Sequence, residues 1–257
     1  MQAHDVTANR PDLTHIDHWV FDLDDTLYPS DAPVMAQVSA RMTEYVARLL
    51  DLPHDEARLL QKSYWREYGT TLHGLMANHP LDIREYLDYV HDIDHGVIPA
   101  NPGLIRQLSA LPGKRLVYTN GSLKHAENVL AHLGIDHLFD DIFDVEAAGF
   151  TPKPHRAGFD RFAARFDLPV PSSVLFEDSV RNLKTAHEMG FTTVLIRAKE
   201  GLRTEDHSRA GEDPDHVHFA ADCLTTFLGE MRTPKPLAKF AMPWKRQSGS
   251  WIAARQG

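Results

Sequence analysis

Between residues 104 and 219, short runs of β-branched and aromatic residues alternate with stretches of helical periodicity, an order that few folds accommodate. The strand signal at 115–119 precedes a helical stretch from Ser122 to Leu133, which Gly134 closes where a left-handed cap is wanted. Strands are predicted at 142–145, 173–176, 193–196 and 217–219, with helices at 155–166 and 180–189, the latter closed by Gly190. An earlier strand, 18–21, runs straight into the acidic cluster Asp22-Leu23-Asp24-Asp25. Such alternation predicts a parallel sheet covered by helices on both faces.

Residues 30–100 interrupt that alternation. A helix starts near Asp31 and Pro33, where Val34, Val38, Met42, Tyr45, Val46 and Leu49 recur at helical spacing, and further helical patterns occupy 55–68 and 82–91. The expected fold is therefore α/β: a Rossmann-like parallel-sheet core of residues 17–29 and 101–230, carrying an inserted all-helical cap at 30–100. Residues 1–16 read as an N-terminal extension. Residues 231–257, with basic but no acidic side chains, read as a poorly ordered tail, in which Trp244 and Trp251 are the residues able to dock on the domain or on another subunit.

A formal charge of −9 with no Lys/Arg stripe argues against a nucleic-acid partner. The N-terminus lacks a basic-then-apolar leader, and no apolar stretch approaches the roughly 20 residues of a membrane span, so no membrane partner is expected. Cys223 stands alone, which suits a reducing cytoplasm. The 16 histidines are scattered and form no ligand spacing, so they are assigned to surface and packing. A monomer and a homodimer both remain open.

In an open parallel sheet, ligands sit beyond the carboxyl ends of the strands. The first such end offers Asp22 and Asp24, which point the same way because residues two apart share a face, with Thr26 close behind. The second offers Thr119-Asn120-Gly121-Ser122, a hydroxyl followed by a turn and a helix N-terminus suited to phosphate. Lys153 follows, pinned between Pro152 and Pro154, and then Glu177-Asp178 after an apolar strand, a pair suited to a hard cation.

Together and in this order, these elements resemble the four motifs of the haloacid dehalogenase-like superfamily, over roughly residues 17–228. The resemblance implies a phosphoryl-transfer enzyme with a mobile helical cap. Its catalytic residues would be Asp22 as nucleophile, Asp24 as acid and base, Lys153 and Thr119. Its cofactor would be Mg²⁺, held by Asp22, the Asp24 carbonyl and Asp178, with Glu177 direct or through water. Asn120 and Gly121 would hold the phosphate. Dehalogenase relatives lack the second aspartate, so Asp24 points to phosphate; hydrolysis and intramolecular transfer by a mutase are not separated by these motifs. The cap segments 68–76 and 90–94, with the Tyr-Pro that follows the first motif, look like the pyrimidine 5′-nucleotidase branch. That likeness implies a small phosphorylated metabolite as partner, a nucleoside monophosphate such as UMP or CMP, read by Thr71 and His73 in a 69–75 loop and stacked on Tyr28. A sugar or small acid phosphate, and a non-catalytic phosphate-binding role, are the alternatives.

Overall fold

The structure is a computed structural model, and it describes residues 10–202, 207–208 and 211–234. Strand β1 (His18–Phe21) is followed by four helices, α1 (Val34–Leu50), α2 (His54–Tyr68), α3 (Thr71–Asn78) and α4 (Ile83–Val90). The chain then alternates through α5 (Pro102–Ala110), β2 (Lys114–Tyr118), α6 (Leu123–Leu133), β3 (Asp141–Phe143), α7 (Arg156–Phe166) and β4 (Ser173–Glu177). It finishes with α8 (Val180–Met189), β5 (Thr192–Ile196), β6 (Phe219–Ala221) and α9 (Leu224–Glu230).

The strands form one six-stranded sheet in the order β3-β2-β1-β4-β5-β6, with every pairing parallel. β1 lies at its centre, with Phe21 in register with Val117 on one side and Phe176 on the other. The order reverses at β1, so the crevice at its carboxyl end is where such a sheet binds ligands. Period-two alternation divides the core: Trp19, Phe21, Val117 and Phe176 face α5, α6 and α9, while Val20, Leu116 and Leu175 pack with Phe159, Phe162 and Leu183 on the other face. The cap has its own cluster, built on Tyr45, Val46, Tyr64, Leu75, Tyr86 and Val90. Helix boundaries follow their caps. Ser122 accepts from the His125 N–H at the start of α6, Ser179 from Asn182 at the start of α8, and left-handed Gly134 and Gly190 end the same two helices.

Three expectations need correction. The 69–75 segment is not a loop. Gly69, at φ +83°, ends α2; Thr70 then caps α3 by accepting from the His73 N–H, and residues 71–78 are helical. Gly74 serves packing, since a Cβ there would meet Tyr64 side-chain carbons at 2.4 Å. The last strand begins at Phe219 because a turn, with the Val217 N–H on the Pro214 carbonyl, occupies the residues before it. The core also reaches into the supposed extension and tail: Leu13, Ile16 and Met231 are buried in it, and Leu13 and Pro11 exchange backbone hydrogen bonds with Arg232. The rest of the tail, with Trp244 and Trp251, lies outside the described residues. Among the described residues no helix is long and apolar enough to cross a membrane.

Candidate active site

Asp22 leaves β1 with its backbone N–H on the Phe176 carbonyl, 2.9 Å away, which seats it between β2 and β4. Lys153 reaches it from the loop before α7. Its ammonium donates to Asp22 Oδ1 at 2.6 Å, Glu177 Oε2 at 2.6 Å and the Tyr118 carbonyl at 2.9 Å, so all three of its hydrogens are engaged. Lys153 is 1% exposed, so its ammonium is a buried charge rather than a solvated one. Burial opposes the charge on this amine, but Asp22 and then Glu177 more than offset it and hold its pKa above the ordinary lysine range.

Asn120 braces the lysine. Its side-chain amide donates to the Lys153 carbonyl at 3.1 Å and accepts from the Lys153 N–H at 2.8 Å. Asn120 thus contributes a positioned backbone turn rather than a side chain for the phosphate. Thr119 Oγ1 accepts from the Gly121 N–H at 2.9 Å, so that N–H too is engaged within the turn. All three residues line the cleft.

The acidic cluster holds one group that fits a metal: Asp22, Glu177 and Asp178 bring carboxylate oxygens within 4.8 Å of one another. Burial, then the charge of Glu177, push the Asp22 carboxyl well above the usual range; burial, Glu177 and Asp22 do the same to Asp178. Glu177 is also buried, but Lys153 holds it down. An all-oxygen, crowded, anionic donor set suits a hard divalent cation. Glu177 is the most firmly held member, with Oε2 on Lys153 and Oε1 accepting from the Ser179 N–H at 3.2 Å. Asp178 is met by His207, whose Nε2 lies 3.0 Å from Oδ2.

Asp24 faces the same cleft, with Oδ1 accepting from the Tyr28 hydroxyl at 2.5 Å and lying 2.8 Å from His125 Nε2. Burial raises this carboxyl, but the His125 imidazole and these two hydrogen bonds outweigh it and hold the pKa at about 2. Tyr28 therefore cannot stack on a base. It is 2% exposed, its ring is in the core, and its hydroxyl belongs to Asp24.

Between cap and core lies a cavity of about 540 Å³. Asp22, Thr119, Lys153 and Asp178 form its floor, and Gln61, Trp65, Thr70 and Thr71 of the cap line it from above. Thr71 thus lines the cleft, although it is buried and its hydroxyl points back to the Gln61 carbonyl at 3.4 Å. His73 does not line the cavity; its ring contacts His155, with centroids 5.0 Å apart, and Tyr68. Arg181 of α8 stacks over Trp65 of α2 at 5.4 Å and joins core to cap across the opening. Sequence reading missed Trp65, Arg181, His207 and His125. It also treated the histidines as scattered, whereas His91 and His125 stack with centroids 4.5 Å apart and His95 Nε2 lies 3.2 Å from His125 Nδ1. The available signal was His125's place in the first turn after a strand end.

The sequence profile of the haloacid dehalogenase-like hydrolases matches residues 16–190. Phosphate metabolism protein 8 of Saccharomyces cerevisiae is 28% identical over 212 residues, which span 73% of this chain and 65% of that protein's length. Among solved structures, a HAD phosphatase from Thermococcus onnurineus aligns with a TM-score of 0.55 at 19% identity, over 84% of this chain and 100% of the other. An L-2-haloacid dehalogenase from Xanthobacter autotrophicus, with chloropropionic acid covalently bound, aligns at 0.52 and 16%, over 83% and 97%. At such identities the two structures share the fold.

Proposed function

The chain belongs to the haloacid dehalogenase-like hydrolase family, and from that premise we propose that it is a Mg²⁺-dependent phosphomonoesterase that carries the phosphoryl group on Asp22 and prefers pyrimidine nucleoside 5′-monophosphates. The observation that carries the reading is the pairing of two carboxylates with different surroundings: Asp22 against Lys153, and Asp24 held apart by His125 and Tyr28. A dehalogenase needs only the first of these. The yeast relative's name, phosphate metabolism protein 8, supports phosphate chemistry as well.

Attack of an Asp22 oxygen on phosphorus forms the aspartyl-phosphate and breaks the ester P–O bond, whose electrons go to the leaving oxygen. Asp24 protonates that oxygen, then takes a proton from the water that attacks the same phosphorus, and cleavage of the P–O(Asp22) bond releases phosphate. Asp24 is ionised in the resting site, so its proton arrives with the substrate, and the charge of the bound phosphate favours keeping it there. Lys153 stands against Asp22, where repulsion between nucleophile and phosphate must be offset. Asp22, Asp178 and the Asp24 carbonyl would hold Mg²⁺, with Glu177 close by, and the ion when bound neutralises charge on the phosphate.

Asp178→Asn is expected to remove most of the rise in Tm that Mg²⁺ gives the wild-type protein, and to raise the Mg²⁺ concentration for half-activity at least about tenfold. An unchanged thermal shift would place the ion elsewhere.

For the substrate, Trp65 is an aromatic side chain in the cavity wall, with Gln61 and Thr70 of the cap lining the same cavity. A phosphate-release screen of UMP, CMP, dUMP, AMP, GMP, nicotinamide mononucleotide, phosphoglycolate and sugar phosphates tests the preference. Trp65→Ala is expected to lower kcat/KM for UMP by about one to two orders of magnitude while changing p-nitrophenyl phosphate less than about threefold. Equal losses on both would mean that Trp65 supports the cap rather than a base.

A further inference from the structure

We propose that His125 is a positioning residue for this reaction: its imidazole fixes the Asp24 carboxylate in the orientation that leaves one oxygen to exchange a proton with the substrate, and His95 fixes the imidazole in turn. The inference rests on the reading of Asp24 as acid and base.

His125 is fully buried in the first turn of α6, on the cap-facing side of the sheet's carboxyl end. Gly121 packs closely beside it: a Cβ there would come within 3.2 Å of the imidazole Cδ2 and 3.3 Å of Thr119 Oγ1. A carboxylate only accepts, so the His125 Nε2, 2.8 Å from Asp24 Oδ1, carries the hydrogen. On the other side of the ring, His125 Nδ1 lies 3.2 Å from His95 Nε2, within hydrogen-bond reach, so the imidazole is held at both nitrogens. The Tyr28 hydroxyl falls on the same Asp24 oxygen. Two donors on Oδ1 fix the carboxylate plane and direct Oδ2 to proton transfer. His91 closes the other face of the ring by stacking at 14°, while its own Nδ1 lies 3.0 Å from both the Leu87 carbonyl and Ser122 Oγ.

A hydrophobic core has no need of such an arrangement. His91 and His95 lie where the cap returns to the core, so the imidazole that meets Asp24 is itself packed against residues of the cap. An acid oriented this way matters most when the leaving group is poor. A p-nitrophenolate departs with little help, whereas phenolate and alkoxides need a well-placed proton.

The test is kcat/KM, which reports the steps up to loss of the leaving group, measured along a series of aryl phosphates from p-nitrophenyl to phenyl. His125→Phe keeps a buried ring but removes both nitrogens. It is expected to stay within about threefold of wild type on p-nitrophenyl phosphate and to fall at least about 30-fold on phenyl phosphate. His125→Gln, whose amide N–H can reach the place of Nε2, should restore phenyl phosphate hydrolysis to within about fivefold of wild type. If the Phe variant does not fold, His125→Asn, polar but one methylene too short to reach Asp24, takes its place against Gln. Equal losses along the series without rescue by Gln, or no loss at all, overturn the positioning role. Asp24→Asn separates this from the underlying reading: it should steepen the leaving-group dependence whatever His125 does, and if it does not, the acid role of Asp24 fails first.

Discussion

Asp22→Asn is expected to lower kcat by at least about 10⁴-fold on every phosphate ester, because the amide retains the shape of the side chain but neither attacks phosphorus nor carries the charge that a metal requires. The loss should be uniform across good and poor leaving groups, in contrast to substitution of Asp24 or His125. It should also leave the fold in place. Asp22 is buried beside Glu177, whose charge already disfavours its ionisation, so a neutral amide relieves repulsion in the cluster while still accepting from Lys153. A melting temperature equal to or above that of wild type, with turnover gone, is the expected pair of observations. Activity within tenfold of wild type would remove Asp22 from the role of nucleophile.

Lys153→Met should combine two losses. Without the ammonium, Asp22 and Glu177 face each other in the interior, and breaking a buried ion pair from one side costs about 3–5 kcal/mol. For a protein of this size that is a fall in Tm of about 10 °C. The rate should fall independently, by about 10²–10³-fold, because a preorganised positive charge beside the reacting phosphate is removed. Adding Glu177→Gln to the Met variant should recover part of the stability, by removing one of the stranded charges, but none of the rate. A Tm unchanged by Lys153→Met would show that the network seen around its ammonium contributes nothing to the folded state.

The sheet and the polar residues at its strand ends were legible because each rests on local pattern. Val20 and Phe21, Leu116 to Tyr118 and Val174 to Phe176 are apolar runs long enough for a strand, and each ends directly on Asp22, Thr119 or the Glu177-Asp178 pair. Helices capped by Ser122 and Ser179 and closed by Gly134 and Gly190 carry their own boundaries. What was not legible depends on contacts between distant parts of the chain. Two threonines and a glycine make residues 70–75 read as a loop, since Thr and Gly are poor helix formers. The close approach of Gly74 to Tyr64 overrides that preference. Tyr28 follows the acidic turn after β1 and so suggested exposure, but its ring is buried in the core and its hydroxyl donates to Asp24. That the Asn120 side chain braces Lys153, 33 residues on, was likewise not visible from the local pattern. The histidine cluster is the clearest case, because His125 meets Asp24 across 101 residues and His95 across 30, separations at which no spacing motif exists.

The central claim is that the phosphoryl group passes through Asp22, and acid quenching during steady-state turnover followed by peptide mass spectrometry tests it most directly. The peptide containing Asp22 should be one phosphoryl group heavier, and hydroxylamine should release the phosphate and leave a hydroxamate at Asp22, as it does with an acyl phosphate. Phosphate found on any other residue, or turnover with no modified peptide at a quench time when the intermediate should accumulate in Asp24→Asn, would contradict it.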